Sequence, residues 1–175
     1  IVGMSGGVDS AVAAYLLKKQ GYEVMGVTLR VWGSDGDGDS RCCEIDEARH
    51  ICNLLDIRYH PHNCTSLFKE CVVNPFVDAY LEGLTPNPCI ECNRYVKWAK
   101  MIELADIFQA EYVATGHYAY IDRLDNGRFA VRKASQTNKD QTYMLYKLTQ
   151  EQLSRTLMPL GQYTKDEVRK IAEEA

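Results

Sequence analysis

An apolar stretch, Ile1-Val2-Gly3-Met4, runs directly into Ser5-Gly6-Gly7-Val8-Asp9-Ser10, and residues 10–20 follow with the periodicity of a helix. Few structures accommodate a strand–loop–helix junction of this composition. Two glycines let the backbone come close to an anion. The unpaired N–H groups at the start of the helix point toward it, and Ser5 and Ser10 add hydroxyl donors. The loop is not a Walker A motif, because it has no Gly-Lys-Ser/Thr ending. A plain glycine turn is the alternative, but it would not require both serines and Asp9.

The rest of the first half alternates strand and helix signals. Val12, Tyr15 and Leu16 form the apolar face of the first helix, and Gly21 is placed to end it. Residues 24–31 read as a strand, 46–55 as a short helix and 57–60 as a strand. Residues 67–83 read as a helix interrupted at Pro75. Thr85-Pro86-Asn87-Pro88 is expected to be a rigid exposed loop. Residues 94–108 read as a helix with Trp98, Met101, Ile102, Ala105 and Phe108 inward, and 112–114 as a strand. This alternation predicts an α/β fold with a parallel sheet in a three-layer α/β/α arrangement, ligands gathering at the carboxyl ends of the strands. Residues 119–124 and 129–132 flank Asp125-Asn126-Gly127, a hairpin signal. Thr149-x-x-Gln152 and Thr164-x-x-Glu167 are capping boxes. The Gly- and Asp-rich stretch 33–40 reads as a mobile loop without the spacing of a calcium loop.

The 175 residues, 46% of them hydrophobic, suffice for one domain with a sizeable core. No apolar run approaches the roughly 18–20 residues that span a bilayer, so a cytoplasmic protein with no membrane partner is expected. Both ends read as cut, and the chain is expected to be part of a longer protein. The net charge of -4 carries no broad basic footprint for nucleic acid, although a local patch would suffice. Seven unevenly spaced cysteines make a poor disulfide framework.

The pair Cys89-x-x-Cys92 instead suggests thiol chemistry or metal binding, and a helix start there would favour a thiolate. An iron–sulfur cluster on Cys89 and Cys92 stays open, as does a pair of buried structural cysteines; a zinc site would need two more ligands. In Ala114-Thr115-Gly116-His117-Tyr118, the glycine at a strand end permits close approach of a nucleotide, and His117 could contact a phosphate or base. Asn138-Lys139-Asp140-Gln141 is a polar cluster in which Lys139 could meet phosphate, while Asp140 and Gln141 could hydrogen-bond a base.

Ser5-Gly6-Gly7-Val8-Asp9-Ser10 resembles the PP-loop of the N-type ATP pyrophosphatases, which cleave ATP between its α and β phosphates. Together with Thr85-Pro-Asn-Pro, Cys92-Asn93, the Ala114 to Tyr118 motif, Lys139-Asp140-Gln141, Pro159-x-Gly161 and Val168-Arg-Lys-Ile-Ala172, it resembles the tRNA-specific 2-thiouridylases along essentially the whole chain. That resemblance implies a PP-loop catalytic domain over 1–148 and the start of a helical linker region over 149–175. It implies ATP and Mg2+ as cofactors, the wobble uridine of tRNA as substrate and a persulfide sulfur-donor protein as partner. It places ATP on Gly3, Met4, Ser5, Gly6, Gly7, Val8, Asp9 and Ser10, with Leu29 and Gly116 also lining the site. Cys92 matches the nucleophilic cysteine, with Asp9 and Cys89 as further catalytic candidates. Asn87, Pro88, Cys89, His117, Lys139, Asp140 and Gln141 fall at tRNA-contacting positions.

Two departures qualify the match. Many members have Asp where this chain has Cys89. The family's persulfide-carrying cysteine is expected beyond Ala175, so sulfur transfer and a disulfide with Cys92 would need it. A PP-loop synthetase or amidotransferase acting on a small molecule leaves Cys89, Cys92 and residues 139–141 idle. A non-catalytic RNA- or cluster-binding module leaves Asp9 and the serines unexplained. A methyltransferase would need a different glycine pattern after the first strand.

Overall fold

The computed structural model describes residues 1–33, 42–134 and 140–175, and only the backbone of Cys42, Cys43 and Glu44. The loop expected from residue 34 onward, Asn138 and Lys139 lie outside the described residues.

Strands β1 (Val2–Gly3), β2 (Met25–Arg30), β3 (Arg58–Asn63), β4 (Val113–Ala114) and β7 (Thr156–Leu157) form one sheet in the order β3-β2-β1-β4-β7. Every pairing in it is parallel. Alternation along the strands sends Val2, Met4 and Ala114 into one core, and Ile1, Val27 and Val113 into the other. Helix α1 (Val8–Lys19) covers the first face with Val12, Ala13, Ala14, Leu16 and Leu17. It packs beside α2 (Cys42–Leu54) and α8 (Lys165–Glu174). Trp98 and α6 (Ala99–Ile107), with Met101, Leu104 and Ala105, cover the second face. Each fully buried Leu, Val or Met stabilises the fold by roughly 1.5–3 kcal/mol. The expected three-layer α/β/α fold is present, and the hairpin β5 (Ala119–Arg123) with β6 (Phe129–Lys133) stands as a separate two-stranded sheet.

Prolines set the differences from the sequence reading. β3 extends through Pro61 to Asn63. It pairs only with β2, so the absent N–H of Pro61 lies on an edge strand, where it is tolerated. The helix interrupted at Pro75 is α3 (Thr65–Phe68), a π-register segment Lys69–Val73 and α4 (Asn74–Leu81), with Pro75 in the first turn of α4. The loop expected as far as Pro88 ends earlier. Pro88 is the first residue of α5 (Pro88–Glu91), and the Asn87 side chain accepts from Cys89 N–H at 3.1 Å as its cap. The chain then passes through a π-register segment, Cys92–Trp98, into α6.

Gly21 follows α1 with φ +91° as expected. Both capping boxes are made, at the starts of α7 (Gln150–Ser154) and α8. The sequence reading missed β7, which is two residues long and carries no periodic signal. It is held by Thr156 Oγ1, which accepts from Trp98 Nε1–H at 2.8 Å. The sheet therefore draws an edge strand from residues 149–175.

Candidate active site

Strand order reverses beside β1: β2 and β3 step to one side, β4 and β7 to the other. Such a switch point opens a crevice at the carboxyl ends of the strands. A cavity of about 540 Å³ lies there, a size suited to a small-molecule ligand. Gly3, Met4, Ser5, Asp9 and Ser10 line one wall. Leu29 and Arg30 come from β2, and Thr115, Gly116 and His117 follow β4. Lys97, Met101 and Gln141 complete the lining.

The loop after β1 is internally braced. Ser10 Oγ donates to the Gly7 carbonyl at 2.8 Å and accepts from Ser5 N–H at 3.2 Å. Ser5 Oγ lies 3.2 Å from Ser10 Oγ. Gly6 takes φ +77°, a conformation that favours glycine. Gly7 precedes α1 and offers no side-chain cap, so the first N–H groups of a twelve-residue helix are left for an anion.

Asp9 is held by two partners from distant parts of the chain. Tyr118 Oη–H donates to its Oδ1 at 2.8 Å, and Lys165 Nζ donates to the same atom at 2.5 Å. Burial, then the bond to Asp9, raises the Tyr118 pKa, so the phenol stays protonated as a donor. Gly116 lies against the same turn: a Cβ there would meet the Asp9 carbonyl carbon at 2.8 Å.

His117 lines the cavity from the strand end after β4. It is buried against Trp98, with ring centroids 5.6 Å apart, and its Nδ1 lies 2.8 Å from Thr115 Oγ1. Burial, with Lys97 adding to it, pushes its pKa down from 6.5 to about 3. A neutral ring cannot act as a phosphate-binding cation, so only a hydrogen-bonding role in the cavity wall remains.

The cysteine-bearing segment reaches the cavity lining through Lys97. Cys89 is exposed, whereas Cys92 is half-buried beside Cys64, Cys71 and Val96. Burial pushes the Cys92 thiol pKa up, against the downward pull of Lys97. Desolvation of the charged form thus runs against the thiolate expected from the helix start. Asn93 Nδ2–H donates to the Met144 carbonyl at 3.1 Å, and Glu91 pairs with Lys147. These contacts fasten the cysteine helix to the segment just after Asp140 and Gln141. Asp140 Oδ2 accepts from Thr142 Oγ1–H at 2.8 Å, and Gln141 Oε1 accepts from Tyr118 N–H at 3.0 Å.

Of the expected nucleotide residues, Gly3, Met4, Ser5, Asp9, Ser10, Leu29 and Gly116 line the cavity, whereas Gly6, Gly7 and Val8 do not. His117 and Gln141 join them there, while Asn87, Pro88, Cys89 and Cys92 lie outside its lining. The sequence reading missed Lys97, Arg30, and Lys165 as a partner of Asp9. Among the described residues no group of three His, Cys, Asp or Glu side chains converges to hold a metal. No helix among them is long and apolar enough to cross a membrane.

A family model described as "tRNA methyl transferase HUP domain" matches residues 1–175. The chain belongs to that family. It is 54% identical to the tRNA-specific 2-thiouridylase MnmA of Lachnoclostridium phytofermentans, across 98% of this chain and 50% of the relative. It is 51% identical to the protein of the same name from Clostridium perfringens, across 99% of this chain and 50% of that one. The family resemblance read from the motifs is thus borne out. The chain spans about half the length of the curated relatives it matches. The fold is shared with the solved U34-tRNA thiolase NcsA from Methanococcus maripaludis, which carries a [4Fe-4S] cluster. That match has a TM-score of 0.57 and 22% identity, covering 98% of this chain and 54% of the other. At that identity the likeness is one of fold.

Proposed function

We propose that this chain is the nucleotide-activating domain of a tRNA 2-thiouridylase, a cytoplasmic enzyme that replaces O2 of the wobble uridine with sulfur. One observation carries the reading: the cavity lined by Ser5, Asp9 and Ser10 of the PP-loop is also lined by Lys97, from the same helical segment as Cys92. ATP fits this cavity by size and by donor set. It supplies an adenylyl group that makes the uridine C2–O2 bond cleavable.

In this reading Ser5, Ser10 and the first N–H groups of α1 cradle the phosphates, and Gly3, Met4, Leu29 and Gly116 shape the nucleotide pocket. Asp9, neutralised by Lys165 and held by Tyr118, fixes the loop. Magnesium enters as the escort of the nucleotide, since no acidic group of the described chain is arranged to hold it alone. Asn87, Pro88 and Cys89 border the entry of the target base, and Asp140 and Gln141 contact tRNA nearby; Lys139 is proposed for tRNA from its sequence motif. His117 supports the wall as a neutral ring. Once O2 is adenylated, the outer sulfur of a persulfide, charged onto a second cysteine by a sulfur-donor protein, bonds to C2 and AMP leaves with O2. The Cys92 thiolate attacks the inner sulfur of that second cysteine, closing a disulfide with it and releasing the outer sulfur at the sulfide level, either directly as the 2-thio group or as sulfide that then displaces AMP.

Cys92→Ser in the full-length protein should abolish tRNA thiolation and leave ATP binding intact; unchanged thiolation would refute the role. Mass spectrometry of tRNA from a deletion strain separates this reading from a small-molecule synthetase. The loop after β1 gives no support to methyl transfer.

A further inference from the structure

Lys97 is the residue of the cysteine helix that enters the cavity. Cys92, five positions earlier, stays outside its lining. Both belong to Cys92–Trp98, a segment in π-register.

Its ammonium has no hydrogen bond or ion pair among the described residues. Lys18, Lys100, Lys147 and Lys165, by contrast, each meet a carboxylate. Arg30, the other cation of the cavity wall, turns its Nε–H onto the Trp32 carbonyl at 3.3 Å. Lys165 is occupied by Asp9, and His117 is neutral. Lys97 is therefore a positive charge of the cavity wall with no carboxylate partner among the described residues, and a desolvated charge without a partner costs free energy until an anion meets it. Burial holds its pKa below the ordinary lysine value, while the Cys92 and Cys89 thiols pull the other way.

We propose that Lys97, which lines the same cavity as the PP-loop, is a catalytic residue that binds the α-phosphate of the nucleotide. This deepens the adenylation reading above and rests on it. The PP-loop holds the phosphate chain on one side and the acceptor base approaches from the cysteine helix on the other. The phosphorus between them is the one attacked. When uridine O2 forms its bond to that phosphorus, the bond to the bridging oxygen breaks, and pyrophosphate leaves with the electron pair. Lys97 transfers no proton; it neutralises the non-bridging oxygens as charge accumulates on them.

The test is calorimetry on the full-length protein without tRNA, using ATP, AMP and adenosine against wild type, Lys97→Met and Lys97→Arg. Lys97→Met should weaken ATP and AMP on the order of tenfold or more, the worth of a charge-assisted contact, and leave adenosine unchanged. Lys97→Arg should restore most of the loss. Equal weakening of all three ligands would reveal a structural role and overturn the proposal. So would unchanged ATP affinity, with or without slower alkylation of Cys92. A wild-type protein that binds ATP but thiolates no tRNA would remove the tRNA reading and leave the Lys97 contact standing.

Discussion

Replacing Gly116 by alanine tests whether the strand end after β4 and the PP-loop form one rigid body. The added Cβ would lie 2.8 Å from the Asp9 carbonyl carbon, 3.0 Å from its oxygen and 3.0 Å from Ser10 N. Carbon pairs prefer about 3.5–4.0 Å, so the carbon contact falls short by about 0.7–1.2 Å. All three atoms are backbone at the start of α1, and no side chain can rotate away. α1 cannot recoil easily either, because Val12, Ala13, Ala14, Leu16 and Leu17 pin it in the core. Overpacking of this kind costs about 1–3 kcal/mol. The relief that is available moves the loop itself, and a displacement of about 1 Å can cost a reacting site on the order of a hundredfold. Gly116→Ala should therefore lower the urea midpoint of the 175-residue chain at unchanged m-value, and weaken ATP more than tenfold by calorimetry. Gly7→Ala is the comparison. Its Cβ meets only Ser5 Oγ, at an ordinary 3.5 Å, so stability should hold while ATP affinity falls if phosphate rests on that backbone. A Gly116→Ala protein with wild-type midpoint and ATP affinity would refute the reasoning.

Two further outcomes follow from the groups around the loop. Lys165→Met leaves the Asp9 carboxylate uncompensated beside the phosphates, so ATP should weaken several-fold; Asp9→Asn in the same protein should recover much of that loss, and additive effects in this double-mutant cycle would refute the coupling. His117 titrates near 6.5 when unfolded and at about 3 when folded, so below pH 6.5 the unfolded chain binds a proton that the folded chain does not. This group should reduce stability as pH falls, by about 2 kcal/mol at pH 5. His117→Gln should flatten the stability profile between pH 6.5 and 5, and a slope identical to wild type would contradict the buried neutral ring.

Much of this was legible in the chain because its signals are local. Ser5-Gly6-Gly7-Val8-Asp9-Ser10 encodes its turn and its helix start within six residues. The capping boxes at Thr149 and Thr164 are complete within four. Strand and helix periodicity sufficed for the parallel α/β layers, and the motif order sufficed for the family. Tertiary structure decided what depends on neighbours distant in sequence. Asp9 acquires Tyr118 and Lys165 from more than 100 residues away, and two-residue β7 exists only because β4 and Trp98 offer it partners. His117 looks like a cation until Trp98 buries it, and desolvation likewise runs against the expected ease of ionising Cys92. Lys97 stayed hidden because the cavity it lines is assembled by β1, β2 and the strand end after β4, all distant from it in sequence. Only the folded chain shows that Lys97, and not Cys92, is the residue of Cys92–Trp98 that lines the cavity.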